Sequence, residues 1–373
     1  MKKISGLITA LSFLSLFSFA QVTTDKVVGQ KNDQLIDSLK KAEYPYLLPI
    51  WGKKATEKGF NLQYPAGLSL NYLFQNSDLT IDNLQVGFNH GMLYNLDEIV
   101  RFDNAESTTN GVNIRPDIWL FPFLNVYGIF AKSRSSTEVG YGVWVPKNDS
   151  TWQEVFSTST KAEFDGTSLG FGITPTMGIG GFFLILDMNC AWTDIDALEK
   201  PAFSFIFDPR IGKNFQFKQP EMSLAVWTGG FRIKINSGTT GSLNISDLFT
   251  TEEWGSQIDE GFTKITEGQQ AVDDWWSNLS PAEQKNPINV AKYNTANAAL
   301  EKASNVLVAA DEAVNTAANS SIQYSLDKKQ ADMWNFIIGS QFQLNKHWMV
   351  RAEVGFLGSR TQVLGGLQYR FGL

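Results

Sequence analysis

The sequence has little of the chemistry that most hydrolases and metalloproteins use. It contains one cysteine, Cys190, and two histidines, His90 and His347. A single cysteine excludes an intramolecular disulfide and a cysteine-based metal cluster. The sequence also has no HExxH motif, and its acidic segment does not match a calcium-loop spacing. We therefore predict no bound metal and no cofactor.

Long hydrophobic runs are also scarce. Apart from residues 4–19, no stretch approaches the 18 or more uninterrupted apolar residues that a membrane-spanning helix requires. Two lysines precede that run, and small residues occupy the two positions that a signal peptidase reads before Gln21. The pattern predicts a secretory signal peptide at residues 1–20. The residue directly after the predicted cleavage site is Gln21 and not cysteine, which argues against a lipoprotein.

Basic residues are not in excess. The formal net charge is −7, and residues 237–330 carry 13 Asp and Glu against 6 Lys and no Arg. The acidic excess is therefore concentrated in that segment. A duplex binder needs a basic face to neutralise phosphates, so we predict that nucleic acid is not a partner.

The last thirteen residues alternate with period two. An apolar row ending in Tyr369 and Phe371 lies on one face, and a more polar row ending in Arg370 lies on the other. This is the pattern of a lipid-facing barrel strand. A closed barrel crosses lipid with every backbone group hydrogen-bonded, and it does so without an apolar helix.

The same alternation recurs in many segments of about the 9–11 residues that a tilted membrane strand needs. Going back from the terminal strand, these are residues 348–356, 334–344, 222–236, 203–211, 184–193, 166–177, 123–132, 113–121 and 67–75. Further candidates are residues 79–88, 138–145 and 154–164. The last two could instead form an extracellular hairpin. We predict a barrel of twelve strands, with ten as the alternative, since single-chain bacterial barrels have even numbers.

The signal peptide, the meander WNFIIGSQFQLNKHWMVRAEVGFLG and the terminal QYRF segment resemble Gram-negative outer-membrane β-barrel proteins. The resemblance covers most of the chain from Gly67 onward and carries over no catalytic residue. It implies an all-β fold with an antiparallel transmembrane barrel, located in the cell outer membrane. Tyr369 and Phe371 would belong to the insertion signal. The implied partners are outer-membrane lipid, lipopolysaccharide and the barrel-assembly machinery.

Residues 237–330 differ in kind from the strands. Ser280 precedes Pro281 and stands three residues before Glu283, which is the spacing of a capping box at a helix start. Alanine and aliphatic residues then recur at intervals of three and four. We predict an acidic, largely helical insertion built as a helical hairpin. With the C-terminus in the periplasm, this insertion is extracellular.

The remaining boundaries follow from these segments. Residues 21–62 are polar and not strand-like, so they form either a periplasmic tail or a partial plug of the barrel. Residues 63–236 contain the N-terminal strands of the barrel. Residues 331–373 contain a C-terminal meander of three strands.

Charged residues recur on the inward faces of the predicted strands. The candidates for the lumen or a constriction are Arg115, Asp117, Asp187, Asp208, Arg210, Arg232, Lys234, Arg351, Glu353 and Arg370. Acids and bases are mixed, and a barrel of this size has a narrow interior. The charges could pair and block the lumen, or they could line a constriction that selects a solute. Both interpretations stay open.

Three functions are compatible with such a barrel. The first hypothesis is a passive channel or transporter for small solutes. The second is a closed structural or surface-recognition barrel that presents residues 237–330, and the third is a lipid-active enzyme. An enzyme of this kind needs a histidine paired with serine or an acid, and only His90, near Asp97 and Glu98, lies where such a site is expected. We predict that the chain is not an enzyme.

Overall fold

The computed structural model describes residues 25–26, 37, 41, 43–146, 151–195, 201–219, 221–236, 238–244, 251–316 and 321–373. The predicted signal peptide at residues 1–20 lies outside this part of the chain. Antiparallel strands dominate the described residues, as the alternating patterns predict.

Ten strands form a closed antiparallel barrel. The ten are β3 (Ala66–Phe88), β5 (Val100–Phe121), β6 (Leu124–Pro146), β7 (Trp152–Ile179), β8 (Phe182–Ile195), β9 (Ala202–Gln216), β10 (Ser223–Asn236), β13 (Trp334–Gln343), β14 (Trp348–Phe356) and β15 (Arg360–Phe371). The other strands are β1 (Asp25–Lys26), β2 (Phe60–Asn61), β4 (Tyr94–Asn95), β11 (Gly238–Asn244) and β12 (Ser321–Gln330). Each barrel strand pairs with the next, and β15 closes the barrel by pairing with β3 from Arg360↔Ser77 to Phe371↔Ala66.

The alternative of ten strands is the observed number, and the prediction of twelve is wrong. Residues 79–88 continue β3, residues 138–145 continue β6, and residues 154–164 continue β7. Period-two alternation marks a strand but not the point where the bilayer ends. Strands that extend beyond the membrane therefore look like additional crossings in the sequence.

The two ends of the barrel differ. The turns between β5 and β6, β7 and β8, β9 and β10, and β13 and β14 all lie at the end where β15 finishes, which we call the terminus end. The long connections lie at the opposite end, which we call the helix end. The sequence predicts this grouping of short and long connections, because antiparallel strands alternate in direction.

The helical insertion is observed. The helices are α1 (Gly52–Glu57), α2 (Thr251–Asn278), α3 (Pro281–Gln284) and α4 (Pro287–Thr316). At α3 the Ser280 hydroxyl accepts a hydrogen bond from the Glu283 amide, and the Ser280 amide donates to Glu283 Oε2 at 2.8 Å, so the predicted capping box forms. No helix in the described residues is both long enough and apolar enough to cross a membrane.

A second hydrophobic core lies beyond the barrel at the helix end. Leu79 and Val139 from the extended strands pack with Tyr324 of β12, Val272 of α2 and Leu300 of α4, and all five are buried. We call the unit formed by α2, α3, α4, β11 and β12 the cap. β12 pairs with residues 79–88 of β3, which fastens the cap to the barrel wall.

The segment before β3 lies against the rim at the terminus end. The Leu47 amide donates to the Leu373 carbonyl at 3.2 Å, and the Ile50 amide donates to the Leu120 carbonyl at 2.9 Å. The Trp119 amide likewise donates to the Pro65 carbonyl at 2.8 Å. Main-chain hydrogen bonds therefore hold residues 43–65 on the barrel rim.

Candidate functional site: lumen and cap

The outer face of the barrel is apolar over the height of a bilayer. On β5 the outward side chains are apolar from Val112 to Leu120. A segment of this length falls in the range of about 9–11 residues that a tilted strand needs to cross the apolar core of a membrane. Tyr369 and Phe371 point outward, at 39% and 38% exposure, as the terminal pattern predicts. The chain therefore forms a transmembrane β-barrel of the outer-membrane type.

Eight of the ten predicted lumen residues are buried inside the barrel. They are Arg115, Asp117, Asp187, Asp208, Arg210, Arg351, Glu353 and Arg370. The alternation rule therefore identifies most of the inward charges correctly. Their positions do not identify a solute that these residues would bind.

Arg232 and Lys234 are exceptions, and the prediction that they face inward is wrong. Lys234 is exposed and Arg232 is half-exposed, whereas Phe231 and Ile233 of the same strand are 2% and 1% exposed. In this part of β10 the inward residues are apolar and pack in the core of the barrel. Arg232 and Lys234 point outward instead, opposite Phe207 and Phe205 of β9, so the strand still alternates but its apolar face is the inner one.

One ion-pair network bridges the lumen. Arg210 of β9 contacts Glu353 of β14 with Nε 3.1 Å from Oε2, and its Nη2 lies 2.5 Å from Asp208 Oδ2. The indole of Trp227 also donates to Glu353 Oε2 at 2.7 Å. Because β10 and β13 separate β9 from β14 in the wall, the Arg210–Glu353 pair crosses the interior.

A second network surrounds Asp117. Arg370 Nη1 lies 3.1 Å from Asp117 Oδ1, and Asn125 and Gln368 donate to the two carboxylate oxygens at 2.9 and 3.1 Å. A Cβ on Gly67 would lie 2.6 Å from Asp117 Oδ2, so any larger residue there would displace the carboxylate. Asp117 is thus surrounded by donors that hold a buried negative charge.

A third network links Arg115 to Asp187. The Arg115 guanidinium lies over the Tyr127 ring, 3.4 Å from its centroid. The Tyr127 hydroxyl donates to Asp187 Oδ1 at 2.7 Å, and Thr174 donates to the same oxygen at 2.7 Å. Asp187 also stands opposite Asp208 on the neighbouring strand, so these donors and Arg210 offset a contact between like charges.

Sequence reasoning missed several inward polar residues. Gln341 accepts a hydrogen bond of 2.6 Å from Arg351, and the Arg360 guanidinium donates to main-chain carbonyls of residues 332 and 333. Tyr127 and Asn125 also face inward. Period-two counting from Asp117 through the β5–β6 turn could have identified them, since their strand pairs in register with the strand of Asp117.

The networks leave little free space in the lumen. Between Ser69, Arg115, Gln341, Arg351 and Gln368 lies a cavity of about 10 Å³. This is close to the smallest volume that holds one water molecule. Around these residues the side chains therefore leave room for about one water molecule.

The cap has a different chemistry. Helix α2 carries seven Asp and Glu and one Lys, and Lys302 of α4 contacts Glu98 at 2.7 Å. A groove of about 500 Å³ lies between the start of α4, the end of β6 and the start of β7. Trp152, Ile288 and Lys292 are among its lining residues. The cap thus combines an acidic helix with an apolar groove.

Burial shifts two ionisable groups of β12, which lies outside the membrane-spanning wall. Desolvation lowers the pKa of Lys328 to about 7. Desolvation also raises the pKa of Tyr324 to about 12. Both side chains are almost fully buried under the cap, and the neutral form is favoured in each.

The histidines do not lie in an arrangement typical of a hydrolase. His347 lies in the β13–β14 turn, where its Nδ1 is 2.8 Å from the Arg370 carbonyl and its ring stacks on Tyr369. The two acids considered for His90 have other partners, because Asp97 accepts from the Leu84 amide and Glu98 contacts Lys302. These contacts stabilise the connections between strands in which the residues lie.

No protein-family model matches the chain, and no curated protein is similar to it. Among solved structures, the β domain of the autotransporter BrkA of Bordetella has 6% identity and a TM-score of 0.33, covering 82% of this chain and 99% of that one. The translocator domain of the autotransporter NalP of Neisseria meningitidis has 8% identity and a TM-score of 0.33, covering 82% and 89%. An outer membrane channel of Pseudomonas putida F1 has 8% identity and a TM-score of 0.28, covering 83% and 97%. Similarity at these TM-scores carries no functional information about this chain.

Proposed function

We propose that this outer-membrane barrel is a closed anchor whose role is to present the acidic cap to a basic partner outside the bilayer. The observation that carries the proposal is the state of the lumen. Arg210 and Glu353 pair across it, and Arg370 pairs with Asp117 in a separate network. A pore would need these charges to face water, whereas here they are buried against each other.

The cap supports a recognition role through its rigidity. Trp276 of α2 stacks on Tyr293 of α4 with ring centroids 4.5 Å apart, and the Tyr293 hydroxyl donates to Asp273 at 3.1 Å. Helix α2 also lies so close to β6 that a Cβ on Gly268 would be 2.7 Å from the Pro146 carbonyl oxygen. A preorganised surface loses little conformational entropy when it binds.

The charge of the cap defines the class of partner. The acidic side chains of α2 attract a basic surface, and the groove beside Ile288 accepts an apolar side chain.

We propose that the terminus end faces the periplasm and that the cap lies at the cell surface. Protease added to intact cells should then cleave the cap and leave the β9–β10 turn intact.

A passive channel is the alternative, and single-channel recording in planar bilayers tests it. We expect no conductance from the mature protein, and none from a variant in which residues 251–316 are replaced by a short Gly-Ser linker, because the lumen networks remain in both. Steady ion-selective steps in the intact protein would contradict the proposal and favour a channel. Current only after the replacement would make the cap a gate.

Binding of the cap to a basic surface needs its own test. We expect the immobilised protein to bind polylysine with an affinity that falls as salt increases, and to ignore polyglutamate. The variant without residues 251–316 provides the control and should lose this binding. Equal binding by both proteins would exclude the cap as the recognition surface.

We likewise propose that the chain is not an enzyme.

A further inference from the structure

The segment before β3 exposes large apolar side chains at the terminus end. Leu47 is 87% exposed, Ile50 is 43% exposed and Trp51 is 55% exposed. All three are held on the rim by a backbone that is hydrogen-bonded to the barrel, so they are fixed in this position. Three large apolar groups at one place are unfavourable in water and indicate a contact with an apolar phase.

This exposed group continues the lipid-facing surface of the barrel. The Trp51 ring centroid lies 5.1 Å from that of Phe121 and 6.4 Å from that of Phe123, and the two phenylalanines stack on each other. Phe123 lies in the β5–β6 turn and is 49% exposed. Aromatic rings at the edges of the apolar band lie at headgroup level, so Trp51 belongs to the same aromatic belt.

The backbone holds Trp51 in an unusual conformation. Its φ is +70°, in the left-handed region that residues other than glycine rarely adopt. The next residue, Gly52, approaches Tyr44 so closely that a Cβ there would lie 2.5 Å from the ring. The chain therefore bends sharply at this point and directs the indole towards Phe121.

Cationic side chains follow directly. Lys53 and Lys54 of α1 and the adjacent Lys58 are all exposed, and Glu57 is the one acid between them. A lysine at the edge of an apolar belt keeps its ammonium group in water while its alkyl chain lies along the apolar surface. Ammonium groups at that level meet the phosphates of lipid headgroups.

We propose that residues 43–58 form an interfacial anchor that binds phospholipid of the leaflet at the terminus end. Its three exposed apolar side chains insert at the level of the aromatic belt, and its three lysines bind headgroup phosphates. Phospholipid is favoured over a protein partner because the apolar group is continuous with the lipid-facing wall. The lysines are also clustered in and beside α1, where they outnumber Glu57, while Glu43 lies at the other end of the segment. The proposal is independent of the role of the cap.

Brominated phospholipids, which quench tryptophan by contact, test the insertion. The full mature protein is reconstituted in phosphatidylcholine with or without bromine near the upper part of the acyl chains. The emission of Trp51 is obtained as the difference between the wild type and Trp51→Phe. We expect most of this difference emission to disappear in brominated lipid.

Trp276 provides a matched control. It lies in the cap, stacked on Tyr293, so the difference emission of Trp276→Phe should be the same in both lipids. Trp51 emission that is equally unaffected by bromine would overturn the proposal and would point to a protein partner at this surface.

A second measurement does not depend on the Trp51 variant. A polarity-sensitive dye is attached to Leu47→Cys in a Cys190→Ser background, and its emission should shift to the blue in bilayers relative to a dye at an exposed cap position such as Ser277→Cys. Replacing the three lysines with glutamine should reduce the excess of spin-labelled phosphatidylglycerol over phosphatidylcholine beside the protein. Equal dye emission at both sites, or an unchanged lipid excess, would contradict the anchor.

Discussion

At the scale of single residues, burial decides what an ion pair contributes. The Arg210–Glu353 pair has side chains 1% and 2% exposed, whereas the Arg134–Asp165 pair, with a similar distance of 2.9 Å, has side chains 71% and 65% exposed. An exposed pair is screened by water and contributes about 0–1 kcal/mol. Removing one partner of a buried pair leaves a charge that water cannot reach.

Glu353→Ala should therefore destabilise the barrel strongly. We expect a loss of about 3 kcal/mol in the free energy of unfolding, because Arg210 loses one of its carboxylates and the Trp227 indole loses its acceptor. Urea unfolding in lipid vesicles measures this value. Arg134→Ala is the control, and it should leave the free energy of unfolding almost unchanged, because water screens the exposed pair. Similar losses in the two variants would contradict the pairing across the lumen.

Lys328 gives the cap a pH dependence. Burial lowers the pKa of Lys328 in the folded protein to about 7, from the ordinary lysine value of 10.5, so the unfolded chain holds more protons between these two values. The free energy of unfolding should therefore rise with pH across this window, by roughly 1.4 kcal/mol per pH unit at most. Below about pH 7 both states are protonated and the burial penalty is fully present.

Lys328→Met should remove this dependence and stabilise the cap at neutral pH. Urea unfolding of the helical circular dichroism signal, repeated at several pH values between the two pKa values, measures the effect. Lys329→Met is the matched control, because that neighbouring side chain is 63% exposed on the opposite face of β12. A rise with pH that persists in Lys328→Met would show that another group is responsible.

At the scale of elements, the helices of the cap begin and end at residues that can be recognised in the sequence. Ser280 and Glu283 form the capping box of α3, the short helix that connects α2 to α4. An N-cap serine satisfies an amide that would otherwise lack an intrahelical partner. These interactions are local, which is why the helices were predictable from residue spacing alone.

Ser280→Ala should weaken the helical hairpin by about 1 kcal/mol. The loss should appear as a lower urea midpoint of the helical signal, with the barrel unaffected. Ser277→Ala, at an exposed position inside α2, should not lower the midpoint, because alanine is a better helix former than serine. An unchanged midpoint in Ser280→Ala would mean that packing under the cap, and not the capping box, fixes the connection.

The strands illustrate the limit of local signals. Alternation identifies the faces of β8, β9, β14 and β15 correctly, because within the bilayer an outward side chain meets lipid and an inward one meets polar groups. It fails for Arg232 and Lys234, because the neighbouring Phe231 and Ile233 are apolar but pack in the core, so the apolar face of this part of β10 is the inner one. A single strand can thus turn its apolar face outward along one part and inward along another.

At the scale of the whole molecule, the pairing of charges could not be predicted. The sequence places Arg210 and Glu353 on inward faces, but whether they meet depends on the diameter of the barrel and hence on the number of strands. Ten strands bring them within 3.1 Å. The mixed charges therefore become predictable as a filled lumen only after the strand count is known.

The continuous strand β3 has a consequence for biogenesis. Its first half pairs with β15 and its second half pairs with β12, so one strand closes both the barrel and the cap. The partners Tyr72 and Gly365 are about 300 residues apart along the chain, and contacts of such high sequence separation form slowly. Folding of the cap is thus tied to closure of the barrel. A chain arrested before β12 and β15 would expose one whole edge of β3, which would make this strand prone to aggregation during assembly.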